Sequence, residues 1–234
     1  MHIDDAALQG VVVQLGLRNL EGLAVRAALS EITAAMPCLF AVDGAGIMLL
    51  DEQHVLRYVA STNGGARLLE AAQEATGRGP CVQALVDDTT VEVSDLSHDD
   101  HWLDLAETLV PNGIRAVLGA PVHVAGTAVG SINVYRRETH HWDESDRDAL
   151  GAFNHLVEHM VVLALASDRH DATIEQLQHA LHARVTIERA IGVIMAVDGV
   201  DPAQAFERIR RAARSSRRPA LEVAGDILRT KRLS

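Results

Sequence analysis

The chain has 234 residues, 48% of them apolar and 23% charged, a balance that excludes a disordered, collagen-like or mucin-like protein and leaves room for one large domain or two small ones. The formal net charge of −11 would disfavour a nucleic-acid partner if it were uniform, but residues 1–174 carry 25 acids and 10 bases whereas residues 175–234 carry 7 acids and 11 bases. The organisation implied is an acidic domain followed by a short basic module, and such a module can bind a phosphate backbone despite an acidic total.

The opening Met1-His2-Ile3-Asp4-Asp5 lacks the basic and then apolar run of a signal peptide, and no run of about 18 apolar residues is found, so a cytoplasmic protein without a membrane partner is expected. Helical patterns run over residues 6–17 and 20–36, the second carrying a stripe of Leu20, Leu23, Ala24, Ala27, Ala28 and Ile32 that Pro37 should stop. Residues 46–50 and 55–60 are apolar runs on either side of the polar Asp51-Glu52-Gln53-His54, which predicts an antiparallel hairpin. Helical spacing returns over residues 65–75 and 82–86, Val91-Glu92-Val93 alternates as a short strand, and residues 95–104 read as a polar loop. Residues 115–136 give the clearest strand pair, turning at Ala125-Gly126, with Gly130 suited to a bulge or a close backbone approach. Strands and helices without a regular βαβ alternation predict an α+β domain built on an antiparallel sheet. Cys38 and Cys81 have no CxxC or Cys-x-His spacing and are read as reduced core thiols.

After Asp143 the chain reads as helical throughout. Leu156, Met160, Leu163, Ser167, His170, Ile174, Leu177 and Leu181 alternate at intervals of four and three, an a/d seam on one long coiled-coil-like helix that joins the two domains. So narrow a seam needs a partner, either a second copy in a parallel homodimer, the favoured reading, or the chain's own second domain. Ser167 and His170 are polar in mid-seam, either a weakened joint where register can change or simply exposed positions. The spans expected are 1–165 for the acidic first domain, 156–181 for the connecting helix and 176–232 for the basic module.

The basic module divides into three helices. The first ends at Asp198-Gly199, the second begins at Asp201-Pro202 and the third near Pro219. Ala205, Phe206, Ile209, Ala212 and Ala213 form the apolar face of the second, so Arg208, Arg211 and Arg214 should project from the other side, with Arg210 at the border. With Arg217 and Arg218 they place six arginines within eleven residues, able to fork onto phosphates and release counterions; the plain alternative is a solvated helix face.

The stretch from Ala180 to Leu228 resembles the ANTAR domain, an RNA-binding module of bacterial transcription antiterminators. The residues that carry the resemblance are Ala180-Leu181, Arg184, Ile187, Ala190, Gly192, Met195, Ala205-Phe206, Arg210, Ala213 and Val223-Ala224. Ala183, Ile209 and Ile191 depart from it, the last standing where the family has a lysine. The segments GRGPCVQAL, VEVSDL, HW and GIRAVLGAPVHVAGTAVGSINVYRRETHHWDESD, in that order over residues 77–146, resemble a GAF domain, a sensor fold whose members bind small molecules, chromophores, haem or nothing known. The resemblance implies an unknown GAF ligand, with no cofactor assigned.

Two imidazoles four residues apart, His155 and His159, lack the glutamate of a zincin pattern; His98-Asp99-Asp100-His101 reads as a polar loop, and Asp143 and Asp146 as the acidic first turn of a helix. GxSxG, P-loop, GxGxxG and HExxH motifs are absent in suitable context, so no enzyme is expected. Two functions remain open. In the first, as the resemblance implies, the GAF sensor controls an ANTAR module that binds tandem stem-loops in nascent transcripts and so acts on RNA polymerase indirectly; phosphate contacts come from Arg208, Arg211, Arg214, Arg217 and Arg218, with Arg184 and Arg210 carried over from the family pattern. In the second, the protein is a dimeric small-molecule-binding signalling protein without RNA affinity. DNA binding is a weaker third reading, because the second helix of the module lacks an Asn or Gln for base readout.

Overall fold

The computed structural model describes residues 25–51, 55–166 and 172–231, with positions 6, 10 and 13. It divides into two compact units whose main boundary falls between Glu175 and Gln176. The helix expected over residues 6–17, most of the polar turn at 51–54, and Leu20, Leu23 and Ala24 of the expected stripe lie outside the described residues.

The first unit is built on helix α1 (Val25–Phe40), strands β1 (Gly44–Leu50) and β2 (Leu56–Ser61), helices α2 (Gly64–Thr76) and α3 (Pro80–Asp87), strand β3 (Val91–Val93), helix α4 (Leu103–Leu109), strands β4 (Ala116–Val124) and β5 (Thr127–Arg136), and helix α5 (Glu144–Ala166). The five strands form one sheet in the order β2-β1-β5-β4-β3, and every neighbouring pair is antiparallel. All seven residues of β1 are buried, because both faces of the sheet are covered: α1 and α5 pack together on one side, and α2, α3 and α4 cover the other. This is the expected α+β architecture.

Local chemistry sets the helix ends. Asn63 caps α2 by accepting the Ala66 N–H, and Gly77 closes that helix in the left-handed region. Pro80 occupies the first turn of α3, where a missing N–H costs nothing. At the start of α5, Asp146 N–H donates to Asp143 Oδ1 at 3.0 Å and Asp143 N–H donates to Asp146 Oδ2 at 3.1 Å, a reciprocal box with aspartate in both roles.

Several expectations are corrected. Pro37 lies inside α1, because Met36 and Phe40 continue the buried stripe of Val25, Ala28, Leu29 and Ile32 and their burial, roughly 1.5–3 kcal/mol each, offsets the lost hydrogen bond. Ala27 faces solvent rather than the core, and so does Cys38, whereas Cys81 is buried. Gly130, by contrast, meets its expectation: Val122 pairs with Gly130 but His123 with Ala128, so the β4–β5 irregularity lies beside it, and a Cβ there would overlap the Met48 carbonyl oxygen of β1. The segment 95–104 contains two 3-10 turns and the first residues of α4. Among the described residues one helix, α5, is long and apolar enough to cross a membrane by length and composition alone. Its Ala149, Leu150, Phe153, Val157, Met160 and Val161 are buried.

The second unit contains the helices α6 (Ala172–Asp198), α7 (Pro202–Ser216) and α8 (Ala220–Thr230), the three-helix module expected. Its core comprises Ile187, Ala190 and Ile194 from α6, Ala205 and Ile209 from α7, and Val223, Ala224 and Ile227 from α8. Gly199, at φ +66°, turns the chain out of α6, and Asp201 caps α7 by accepting the Gln204 N–H at 2.8 Å.

Candidate nucleic-acid interface

The apolar stripe of α7 fixes where its arginines go. Ala205 and Ile209 are fully buried, and Phe206, Ala212 and Ala213 pack against the same core, so positions one half-turn away must face outward. Arg211 and Arg214 are exposed as expected, and so is Arg210, which the sequence placed at the border. The border residue is instead Arg208, half-buried and bound to Asp198 at the end of α6. Arg217 and Arg218 follow on the exposed turn before α8, and Arg184 is half-buried on α6.

Most of these cations are already engaged by carboxylates of their own module. Arg214 pairs with Glu207, which also lies 3.8 Å from Arg210. Arg218 bonds Glu222 at 3.0 Å and Asp226 at 2.8 Å, and Arg184 bonds Glu188 at 3.1 Å. The Arg218 hydrogen bond holds the Asp226 carboxyl below the usual carboxylate range. Arg210 also sits over the Phe206 ring, 5.8 Å from its centroid. Arg211 and Arg217 make no ion pair among the described residues. Solvent-exposed pairs contribute roughly 0–1 kcal/mol each, so a polyanion can exchange with these carboxylates at little expense.

The partner acids were missed in the sequence. Glu222 stands four residues after Arg218 and Glu207 three before Arg210, spacings that signal helix-face pairs. The Asp198–Arg208 pair crosses the turn between two helices and leaves no such signal.

Of the expected seam, Met160 and Ile174 are buried and Leu156, Leu163 and Leu181 half-buried. Ser167, His170 and the Leu177 side chain lie outside the described residues. Leu156 and Leu163 fall off the buried stripe of α5. His155 is exposed beside Glu158, at 3.4 Å, and His159 is exposed. Among the described residues no group of three or more His, Cys, Asp and Glu is placed to hold a metal ion.

Comparison with known proteins assigns both units. The GAF domain model matches residues 24–160 and the ANTAR domain model residues 175–228. No curated protein shows significant similarity to the chain. Similar solved structures include the free methionine-R-sulfoxide reductase of Neisseria meningitidis in complex with its substrate, at 19% identity and TM-score 0.55, covering 69% of this chain and 92% of that one. The GAF domain of an Acinetobacter phosphoenolpyruvate-protein phosphotransferase aligns at 16% identity and TM-score 0.55, over 71% of this chain and 96% of that one. The phycocyanobilin-bound GAF domain of a cyanobacterial phytochrome aligns at 12% and 0.54, over 70% and 98%. At these identities the likeness is one of fold. With its sheet, its helical layers and the matched span in agreement, the chain belongs to the GAF domain family and carries an ANTAR domain after the GAF domain, the architecture of a signalling regulator.

Proposed function

We propose that this protein is a cytoplasmic, signal-responsive transcription antitermination regulator. Its ANTAR domain binds tandem stem-loops in nascent RNA, holding them in a form that lets RNA polymerase read through a terminator, and its GAF domain governs when that happens. The seam from Leu156 to Leu181 joins two copies as a homodimer, which would present two RNA-binding modules to two hairpins.

The observation that carries this reading is the row of exposed guanidinium groups on α7 and the turn after it, Arg210, Arg211, Arg214, Arg217 and Arg218, on a module whose apolar face is already filled by its own core. Phosphate contacts fall to these residues and to Arg208, with Arg184 contributing from α6. Aromatic stacking has little part, because Phe206 is packed against the core.

The test is retardation of a tandem-hairpin RNA by the full-length protein over a range of salt. Binding should weaken linearly on a log–log scale with a slope of about −0.7 to −0.9 per phosphate contact, and Arg211→Ala with Arg214→Ala should reduce affinity at least about tenfold. Intact binding by the double variant would refute the assignment of this face. Absence of hairpin binding by the unaltered protein would leave a dimeric small-molecule-binding signalling protein as the reading.

A further inference from the structure

The interior of the GAF domain holds polar side chains that its own packing leaves unsatisfied. Glu70 on α2 and Ser131 and Asn133 on β5 are fully buried. Both carboxyl oxygens of Glu70, the Ser131 hydroxyl and both amide atoms of Asn133 lack a hydrogen-bond partner among the described residues. The three side chains converge on one place. The β1–β5 register sets Gly46 opposite Asn133 and Met48 opposite Ser131, and a Cβ built on Gly46 would overlap Glu70 Oε1 and lie 3.3 Å from Asn133 Oδ1. Gln73, one turn after Glu70, is by contrast satisfied: its Oε1 accepts the Cys81 N–H at 2.8 Å and its Nε2 donates to Cys81 Sγ at 3.0 Å. Burial pushes the Cys81 thiol up to about 12, so it is an inert, neutral wall of the same region. Ser131 is close enough to the sulfur to favour its thiolate slightly, without a hydrogen bond of ordinary geometry.

Native interiors leave few buried polar groups unpaired, and here five such atoms belong to three neighbouring side chains. A fold selected for stability alone would place apolar groups there. The unpartnered groups also define what would satisfy them. Burial pushes the Glu70 carboxyl up to about 9, and the nearby Arg67 guanidinium is stacked on Tyr58, 3.7 Å from its ring centroid. Glu70 is therefore neutral at neutral pH and offers an O–H donor beside a C=O acceptor, while Asn133 offers an N–H donor beside a C=O acceptor. Each is the complement of an amide edge. Among the described residues no cation hydrogen-bonds to these atoms, and Arg67, which acts on Glu70 only through its charge, is stacked on Tyr58; transferring an anion into a buried site costs heavily without a paired cation.

We propose that Glu70, Ser131 and Asn133 form the sensing site of the GAF domain, and that it takes a small uncharged ligand with an amide-type edge, N–H beside C=O, as in a carboxamide or a lactam. The proposal rests on the sensor half of the proposed function and is independent of the RNA half.

Thermal unfolding of the full-length protein tests it in two arms. Without added ligand, Ser131→Ala and Glu70→Met should unfold at the same temperature as the unaltered protein or above it, because each removes a polar group that has no partner. A fall of several degrees in both would mean that interior waters complete a structural network, and would overturn the proposal. In the second arm, millimolar nicotinamide and uracil are compared with their anionic relatives nicotinate and orotate. At least one neutral probe should raise the midpoint by roughly 2–4 °C, its anionic relative should not, and Glu70→Met should abolish the response. No response to either neutral probe, an equal response to the anions, or a response that survives in Glu70→Met would each overturn it. Failure of the RNA reading shows itself separately, as a lack of salt-sensitive hairpin binding by the unaltered protein.

Discussion

The carboxyl group of Glu70 lies over the Cα of Gly46, in the space a side chain on β1 would fill. The carboxyl can occupy that space only because position 46 is glycine. Replacing it in Gly46→Ala forces the carboxyl aside, and overpacking of this kind costs about 1–3 kcal/mol. The expected result is a lower urea midpoint with an unchanged slope, and an unaltered midpoint would show that Glu70 moves freely out of the cluster.

Glu70 also sets a pH dependence whose sign follows from its burial. Its carboxyl is raised from 4.5 to about 9 by desolvation, against the pull of Arg67. Below 4.5 both folded and unfolded chains hold this proton; between 4.5 and about 9 only the folded chain does. The group's contribution to stability is thus fully present at low pH and is lost as pH rises through that window. Glu70→Gln removes the titration, so urea midpoints of the variant should decline less than those of the unaltered protein between about pH 5 and about pH 8.

How far the sequence disclosed this architecture depends on the range over which each signal acts. Period-two and period-3.6 patterning located β4, β5 and all three helices of the ANTAR module, because Ile209 or Val134 must be buried whatever lies opposite. Pro37 misled, since a local breaker was overruled by the distant surfaces that bury Met36 and Phe40. The arginine row was visible as composition, and Glu207 and Glu222 stand at readable helix spacings from it, but Asp198 left no signal, because it meets Arg208 only after the chain turns. The Glu70 cluster was invisible for the same reason: its members come from α2 and β5, more than sixty residues apart, and a glutamate on an amphipathic helix reads as solvent-exposed.

Glu158 supports the strand irregularity at His123. There the His123 N–H donates to Glu158 Oε1 at 2.9 Å, and the imidazole bridges Glu158 at 3.2 Å and Asp88 at 2.6 Å. Glu158→Leu takes away the acceptor of a backbone donor and should destabilise the GAF domain by about 1–3 kcal/mol. Glu158→Gln retains a carbonyl oxygen and should recover most of that loss in equilibrium denaturation.

Glu207 holds Arg214 and lies near Arg210, so it competes with any phosphate for both. Glu207→Gln should therefore strengthen hairpin RNA binding several-fold at moderate salt and steepen the salt dependence, while unfolding shifts by less than about 1 kcal/mol. If RNA affinity stays unchanged, phosphates do not reach this part of α7.

Arg217 separates stability from recognition most cleanly. It closes α7 in the left-handed region, at φ +54°, with its N–H donating to Arg214 O. A side chain is strained in that conformation and glycine is not. Arg217→Gly should accordingly stabilise the ANTAR domain by about 0.5–1 kcal/mol, seen as a higher midpoint of helix melting. The same change deletes one of the two arginines of the row that have no ion pair among the described residues, so hairpin RNA affinity should fall and the salt slope should shrink by about 0.7–0.9. A stabilised variant that binds RNA as before would place the phosphate contacts away from this turn. One that loses both would mean that the Arg217 side chain holds the end of α7 through a contact stronger than its backbone strain.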